Sequence, residues 1–268
     1  MGAFCPQFLS QGVDVELFSK EKTLEVLPDK TFELEEFVVT EVPYKVFLND
    51  ELIGSSMVLP CNLEEFGVGF LFSQGYIQKP EDIESVRVCE KGGIFVYTRN
   101  KKVEKKEVII TSGCGGTGKI SRDMLERPFG ELEEFRMKLS DVDELIKETL
   151  RRNEVGNLTH CAHACGFWSE KGFEAFYADV GRHNAVDKVV GAILLGKFSP
   201  RGAIYTTGRL TSDMVLKCAR IGIPIVISRT ATSSLGLEIA RKSGVTLICY
   251  ARPGRVNVFN RPDRILES

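Results

Sequence analysis

The 268-residue chain has little that would declare its class at once. It has no run of about 18 consecutive apolar residues, which excludes a membrane-spanning helix. Its start, Met1-Gly2-Ala3-Phe4-Cys5-Pro6, lacks the pattern of a signal peptide, and Pro6 stands where a myristoylation site needs Ser or Thr. The expected location is therefore the cytoplasm. There is 1 Trp, and the 3 histidines (His160, His163, His183) all fall in one short stretch. No C-x-x-C pair occurs among the 8 cysteines, Cys5, Cys61, Cys89, Cys114, Cys161, Cys165, Cys218 and Cys249. Without a secretory signal, an even count is not a disulfide framework. Most of these thiols are expected to act as small core hydrophobes.

A strong net charge is also missing, the formal value being −2. The distribution is uneven, however. Beyond residue 200 there are 11 Lys/Arg against 4 Asp/Glu, and before it 24 against 33. A basic end on a nearly neutral protein suggests an anionic ligand there, such as a nucleotide or other phosphate ester. The alternative is an unspecific basic face.

Hydrophobic residues make up 43% of the chain, ample for a packed core, and the length suits about two domains. Residues 36–50 alternate like a strand and reach an Asn49-Asp50 turn, with 51–59 as hairpin partner. Asn62 is placed to cap an amphipathic helix carrying Leu63, Phe66, Val68, Phe70 and Leu71. Residues 84–89 and 93–98 flank Gly92-Gly93 as a second hairpin, and 103–111 reads as a further strand. These elements predict a small N-terminal α+β domain over 1–115. A connector follows over 116–139, and an α/β domain over 140–268.

In that second unit Ser140 and Asp143 are spaced as a capping box for a helix to about Arg152. The end of the chain is regular. Strands at Ala203–Thr206, 223–228 and 245–251 alternate with helices at 211–221 and 233–243. This β-α-β-α-β order demands parallel strands with right-handed crossovers. Ligands of such sheets bind beyond the carboxyl ends of the strands. Those ends are Thr207-Gly208-Arg209, Arg229-Thr230-Ala231-Thr232 and Ala251-Arg252-Pro253-Gly254-Arg255. Each carries an arginine, and two precede helix N-termini, which favour anions.

Three segments can carry chemistry. In Thr111-Ser112-Gly113-Cys114-Gly115-Gly116-Thr117-Gly118-Lys119 four glycines leave one sulfur uncrowded, and exposed amides with Lys119 favour the thiolate. The same loop resembles a P-loop short of its last residue, Ile120 standing where Ser or Thr must reach magnesium. In Thr159-His160-Cys161-Ala162-His163-Ala164-Cys165, strand geometry would put Cys161, His163 and Cys165 on one face. A zinc site there is a weaker reading than a ligand-facing His163 with core-packed cysteines. The strand-to-helix corner from Asp179 to Lys188 gathers Asp, Arg, His, Asn and Lys, as a ligand wall or a salt-bridged cap.

Taken together, these motifs resemble the FdhD family of formate dehydrogenase accessory sulfurtransferases. The likeness rests on Pro60-x-x-Leu63-Glu64-Glu65-Phe66-x-x-Gly69-Phe70-Leu71 with Gly75-Tyr76-Ile77, and on Ser112-Gly113-Cys114-Gly115-x-Thr117-Gly118. Asp179-Val180-Gly181-Arg182-His183-Asn184-Ala185, Thr207-Gly208-Arg209 with Met214-Val215-x-Lys217, Gly222-Ile223-Pro224-Ile225, and Leu247-Ile248-Cys249-Tyr250-Ala251-Arg252 complete it. The resemblance implies a zinc-free, cytidine-deaminase-like α/β domain and a homodimer. It also implies a carrier that takes persulfide sulfur from a cysteine desulfurase and passes it to the molybdenum cofactor, in its bis-guanine-dinucleotide form, of formate dehydrogenase. Neither nucleic acid nor membrane is expected among the partners. The sulfur-bearing cysteine maps onto Cys114. The cofactor segment maps onto Tyr250, Ala251, Arg252, Pro253, Gly254 and Arg255. The strand-end argument adds Arg209 and Arg229, and the adjoining corner adds Arg182, His183 and Asn184. A GDP-like nucleotide is expected to mimic half of the cofactor. Two departures stand out. Many members have a second loop cysteine where this chain has Thr117, and a common Thr-Gly-Gly-x-His pattern here contains His160 and Cys161. The competing function is a non-catalytic cofactor-binding chaperone for another molybdenum or tungsten enzyme.

Overall fold

The computed structural model describes residues 16–89, 92–103, 108–110 and 119–267. The chain opens with a two-stranded antiparallel ribbon, β1 (Phe18–Leu27) and β2 (Lys30–Val39), in a stretch whose acidic composition gave no clear alternation. Then come β3 (Val42–Leu48), β4 (Glu51–Val58), α1 (Leu63–Ser73), β5 (Ile83–Cys89) and β6 (Gly93–Thr98). Both expected hairpins form, and the four strands make one sheet in the order β4-β3-β6-β5. Asn62 does stand at the N-cap of α1. It adopts a left-handed φ of 52° and makes no side-chain capping bond.

A short hairpin, β7 (Val108–Ile110) and β8 (Lys119–Ser121), precedes α2 (Arg122–Glu126). Next come β9 (Met137–Lys138), α3 (Leu139–Arg152), α4 (Glu154–Thr159), β10 (His163–Ser169), β11 (Gly172–Asp179) and α5 (Arg182–Leu194). The chain closes with β12 (Ala203–Thr206), α6 (Ser212–Ile221), β13 (Ile225–Ser228), α7 (Ser234–Ser243), β14 (Thr246–Arg252), β15 (Arg255–Asn260) and β16 (Ile265–Leu266). α3 begins before the expected capping box: Asp141, not Asp143, accepts from the Lys138 amide at 3.2 Å.

The main sheet has six strands in the order β11-β10-β12-β13-β14-β15. β12, β13 and β14 are parallel, as the alternation of strands and helices requires. Strand residues alternate between its two faces. Ile204, Val226, Leu247 and Cys249 pack on the side of α5, α6 and α7. Ala203, Tyr205, Ile225, Ile227 and Ile248 pack against Val142, Leu145 and Ile146 of α3. Each fully buried aliphatic side chain contributes about 1.5–3 kcal/mol relative to exposure.

The smaller sheet and the larger one share a single apolar core. Its centre is the crossing of α1 and α5. All 13 residues of α5 are buried. The helices meet backbone to backbone. A Cβ on Gly69 would stand 1.9 Å from the Asp187 carbonyl oxygen, and one on Gly191 would stand 1.8 Å from that of Glu65. Only glycine permits this approach.

Candidate anion-binding edge and its supports

Because α5 lies between the two sheets, its charged residues are buried and must be paired. Lys188 Nζ lies 2.8 Å from Asp179 Oδ2 and donates to the carbonyls of Ala178 (2.8 Å) and Leu59 (3.2 Å). Burial works against its charge, but Asp179 and Cys61 outweigh that and push its pKa above the usual lysine value. Asp179 also accepts from the Gly181 amide and from Asn184 Nδ2, each at 2.9 Å. Asp187 accepts from Ser73 Oγ at 2.6 Å and pairs with Lys217 Nζ at 2.7 Å. His183 Nε2 lies 2.5 Å from Asp213 Oδ2, and both side chains are fully enclosed. Burial opposes the Asp213 charge, yet His183, Lys217 and Thr211 hold its carboxyl well below the usual carboxylate range. The corner from Asp179 to Lys188 is thus chiefly a buried ionic scaffold. Asn184 and His183 face inward to it, and Arg182 is buried beside them.

The sheet topology brings the remaining candidates to one edge. β12, β13 and β14 end there. β10, antiparallel to β12, begins there with His163, and β11 ends there opposite it. Arg209, Arg229, Arg252 and Arg255 are exposed along this edge. Arg182 leans on Gly208, where a Cβ would stand 2.7 Å from its own Cβ. The turn after β12 is tied down by Thr207 N to Ala164 O (3.0 Å) and Ser228 Oγ to Gly208 O (2.6 Å).

Much of the basic C-terminal quarter is spent on structure. Arg220 donates to the carbonyls of Met124, Arg127 and Pro128. Arg264 reaches those of Pro224 and Gly244, and Arg261 pairs with Asp263. Among the described residues Arg209, Arg229 and Arg255 have no ion pair. Arg252 donates to the carbonyls of Arg229 (2.5 Å) and Ala251 (2.8 Å), linking the ends of β13 and β14. Planar guanidinium groups gathered along one sheet edge suit phosphate oxygens.

Residues 252–255, placed by the sequence at the end of the last parallel strand, form a tight hairpin turn. Arg252 pairs with Arg255 across a two-residue Pro253-Gly254 turn, with Gly254 at a φ of 76°. Asp143 holds this turn, accepting from the Gly254 amide with both carboxylate oxygens at 2.9 and 3.0 Å. Tyr250 sits in a bulge at a φ of 54° and is 46% exposed, whereas Ala251 is buried in the core. The alternation Arg255-Val256-Asn257-Val258-Phe259 after a Pro-Gly pair was the available signal for this hairpin.

His163 Nδ1 lies 3.1 Å from Thr207 Oγ1. Cys165 is buried as expected, its thiol pushed up to about 12 by burial, but Cys161 is exposed rather than core-packed. Among the described residues no group of three or more His, Cys, Asp and Glu side chains is placed to hold a metal ion. The cysteine loop, residues 111–118 with Cys114 and Thr117, lies outside the described residues. Lys119 opens a strand, not the helix that a P-loop needs. No described helix is long and apolar enough to cross a membrane.

The pattern of the FdhD/NarQ family matches residues 39–266. The chain belongs to that family. It is 31% identical over 258 residues to the sulfur carrier protein FdhD of Wolinella succinogenes, covering 92% of this chain and 90% of that one. It is 33% identical over 236 residues to the protein of that name from Sulfolobus acidocaldarius, covering 86% and 92%. A crystal structure described as that of a formate dehydrogenase accessory protein from Desulfotalea psychrophila superposes with a TM-score of 0.84 at 49% identity. The match covers 93% of this chain and 100% of that one. The mixed α/β fold with several sheets is therefore that of the family.

Proposed function

We propose that this protein carries sulfur on Cys114 for the activation of formate dehydrogenase. In this reading the Cys114 thiolate attacks the outer sulfur of a persulfide on a cysteine desulfurase. The donor leaves as a thiolate and Cys114 becomes the persulfide. The outer sulfur, which is at the sulfane level, is then passed to a reduced molybdenum centre of the bis-guanine-dinucleotide cofactor, the cargo of the reaction. The metal supplies the two electrons that make it a sulfide ligand, the S–S bond breaks, and Cys114 returns to a thiolate. A single thiol suffices for both steps, so Thr117 in place of a second cysteine is compatible with them. The protein acts in the cytoplasm as a homodimer, and its six-stranded sheet is a zinc-free variant of the cytidine deaminase architecture.

The observation that carries the cofactor half of this reading is the sheet edge itself. Arg209, Arg229 and Arg255, with Arg252 and Arg182 beside them, stand where three parallel strands end. The guanine nucleotide phosphates are assigned to these side chains, with Tyr250 and the Pro253-Gly254 turn as the base-side wall. The test is calorimetry with GDP. Loss of one phosphate-contacting arginine, in Arg252→Ala or Arg209→Ala, is expected to weaken binding by about 1.5–3 kcal/mol. Wild-type binding by both variants would remove the cofactor from this edge.

A further inference from the structure

His163, ligand-facing in the sequence reading, is given no ligand in the assignment above, yet it opens β10 at the same edge, next to the end of β12. Its partner, Thr207, determines how its ring is used. Thr207 Oγ1 already accepts the Ala164 amide proton at 3.1 Å. The hydroxyl keeps its own proton to donate, and His163 Nδ1 lies 3.1 Å from it. With Nδ1 as the acceptor, the proton of the neutral ring sits on Nε2. Nε2 has no hydrogen-bond partner among the described residues. The other two rings are placed differently. His183 is enclosed against Asp213, and His160 is exposed at the end of α4 with a left-handed φ of 53°.

We propose that His163 is a ligand-binding residue of this edge, anchored on Thr207 through Nδ1 and donating Nε2–H to a phosphate oxygen of the bound nucleotide. The inference rests on the reading that a guanine nucleotide occupies the edge, and adds to it a residue and a pH dependence.

The charges around the ring give the consequence. Burial disfavours the imidazolium, and so do Arg182 and His183 from α5 and Arg209 after β12. Among the described residues Asp179, at the end of β11, favours it. The pKa lies below the usual histidine value, so the ring is neutral in the free protein near neutral pH. An arriving phosphate group adds negative charge beside it and reverses that balance. The ring then takes up a proton on binding, and affinity for GDP rises as the pH falls from about 8 to about 6.

The test compares wild type with His163→Gln, which keeps a donor of similar reach but does not titrate. GDP binding is measured by calorimetry near pH 6.5 in two buffers of different ionisation enthalpy, so that proton uptake is read directly. Wild type is expected to take up more protons than the variant, and its gain in affinity on acidification is expected to be about 3- to 10-fold larger. The titration of GDP itself is common to both and cancels in the difference. Equal proton uptake by the two proteins would overturn the role of His163 while leaving the nucleotide site standing. Failure of wild type to bind GDP would overturn the site and this inference with it. Nitrogen NMR of the three histidines in the intact protein gives an independent reading. A His163 ring protonated on Nδ1 in the free state would also refute the proposal.

Discussion

Gly69 and Asp187 stand so close that the glycine's missing Cβ would lie 1.9 Å from the aspartate's carbonyl oxygen. The contact joins α1 to α5, and the side chain of Asp187 binds Ser73 on that same helix. Gly69→Ala must therefore push two helices apart inside a shared core. A loss of about 1–3 kcal/mol or more is expected, the scale of overpacking. Urea unfolding monitored by circular dichroism checks it, and an unchanged midpoint would mean the helices are not in backbone contact.

The pairing of Lys188 with Asp179 makes a second prediction. Lys188→Met leaves a fully buried carboxylate without its cation, which costs about 3–5 kcal/mol. The double variant Lys188→Met with Asp179→Asn removes both charges and is expected to recover part of that loss. Comparison of the single and double variants by denaturant unfolding separates the pair's coupling from simple packing.

Acid sensitivity follows from Asp213. Its carboxyl is held below the usual range in the folded protein, so its contribution to stability is fully present above the unfolded-state value of about 4. That contribution is lost as the pH falls below this value toward the folded one. The stability gap between wild type and Asp213→Asn is expected to narrow steadily from about pH 5 downward. A gap independent of pH would show that His183 and Lys217 do not hold the carboxylate charged.

Thiol labelling separates the cysteines. Burial pushes the Cys249 thiol up to about 11 and that of Cys165 up to about 12, with Cys218 raised as well. The thiolate is the reactive form, so these three are expected to resist iodoacetamide in the native protein. Cys89 and Cys161 are exposed and are expected to react. Mass spectrometry of digested protein gives the pattern.

Asp143 is the support of the Pro253-Gly254 turn. Asp143→Ala frees the turn, and with it the orientation of Arg252 and Arg255. GDP affinity is expected to fall by about 2- to 10-fold with little change in stability. Unchanged affinity would separate the turn from the binding edge.

The legible parts of this fold are those governed by local rules. The strands β12 to β14 and the helices between them followed from alternation and from Gly222 and Gly244, both left-handed at their helix ends. The capping role expected of Asp143 falls to Asp141, two residues earlier, because spacing does not show which carboxylate will reach Gly254. Lys188 was legible only as one polar group of the Asp179–Lys188 corner, and Lys217 only as part of a motif. Their burial and their pairing with Asp179 and Asp187 depend on α5 lying between two sheets. The candidate edge was predictable for the same reason that β12 to β14 were: parallel strands put their carboxyl ends together. The link from His163 to Thr207 was not, since it joins residues 44 positions apart through strand register.

Transfer of sulfur through Cys114 is the centre of the account, and the mass of the protein tests it most directly. The intact protein is incubated with a cysteine desulfurase and cysteine, separated from both, and weighed beside Cys114→Ala treated in the same way. The account predicts that wild type gains the mass of one or more sulfur atoms, removed by reductant, and that Cys114→Ala gains none. An adduct of equal size on the variant would contradict it.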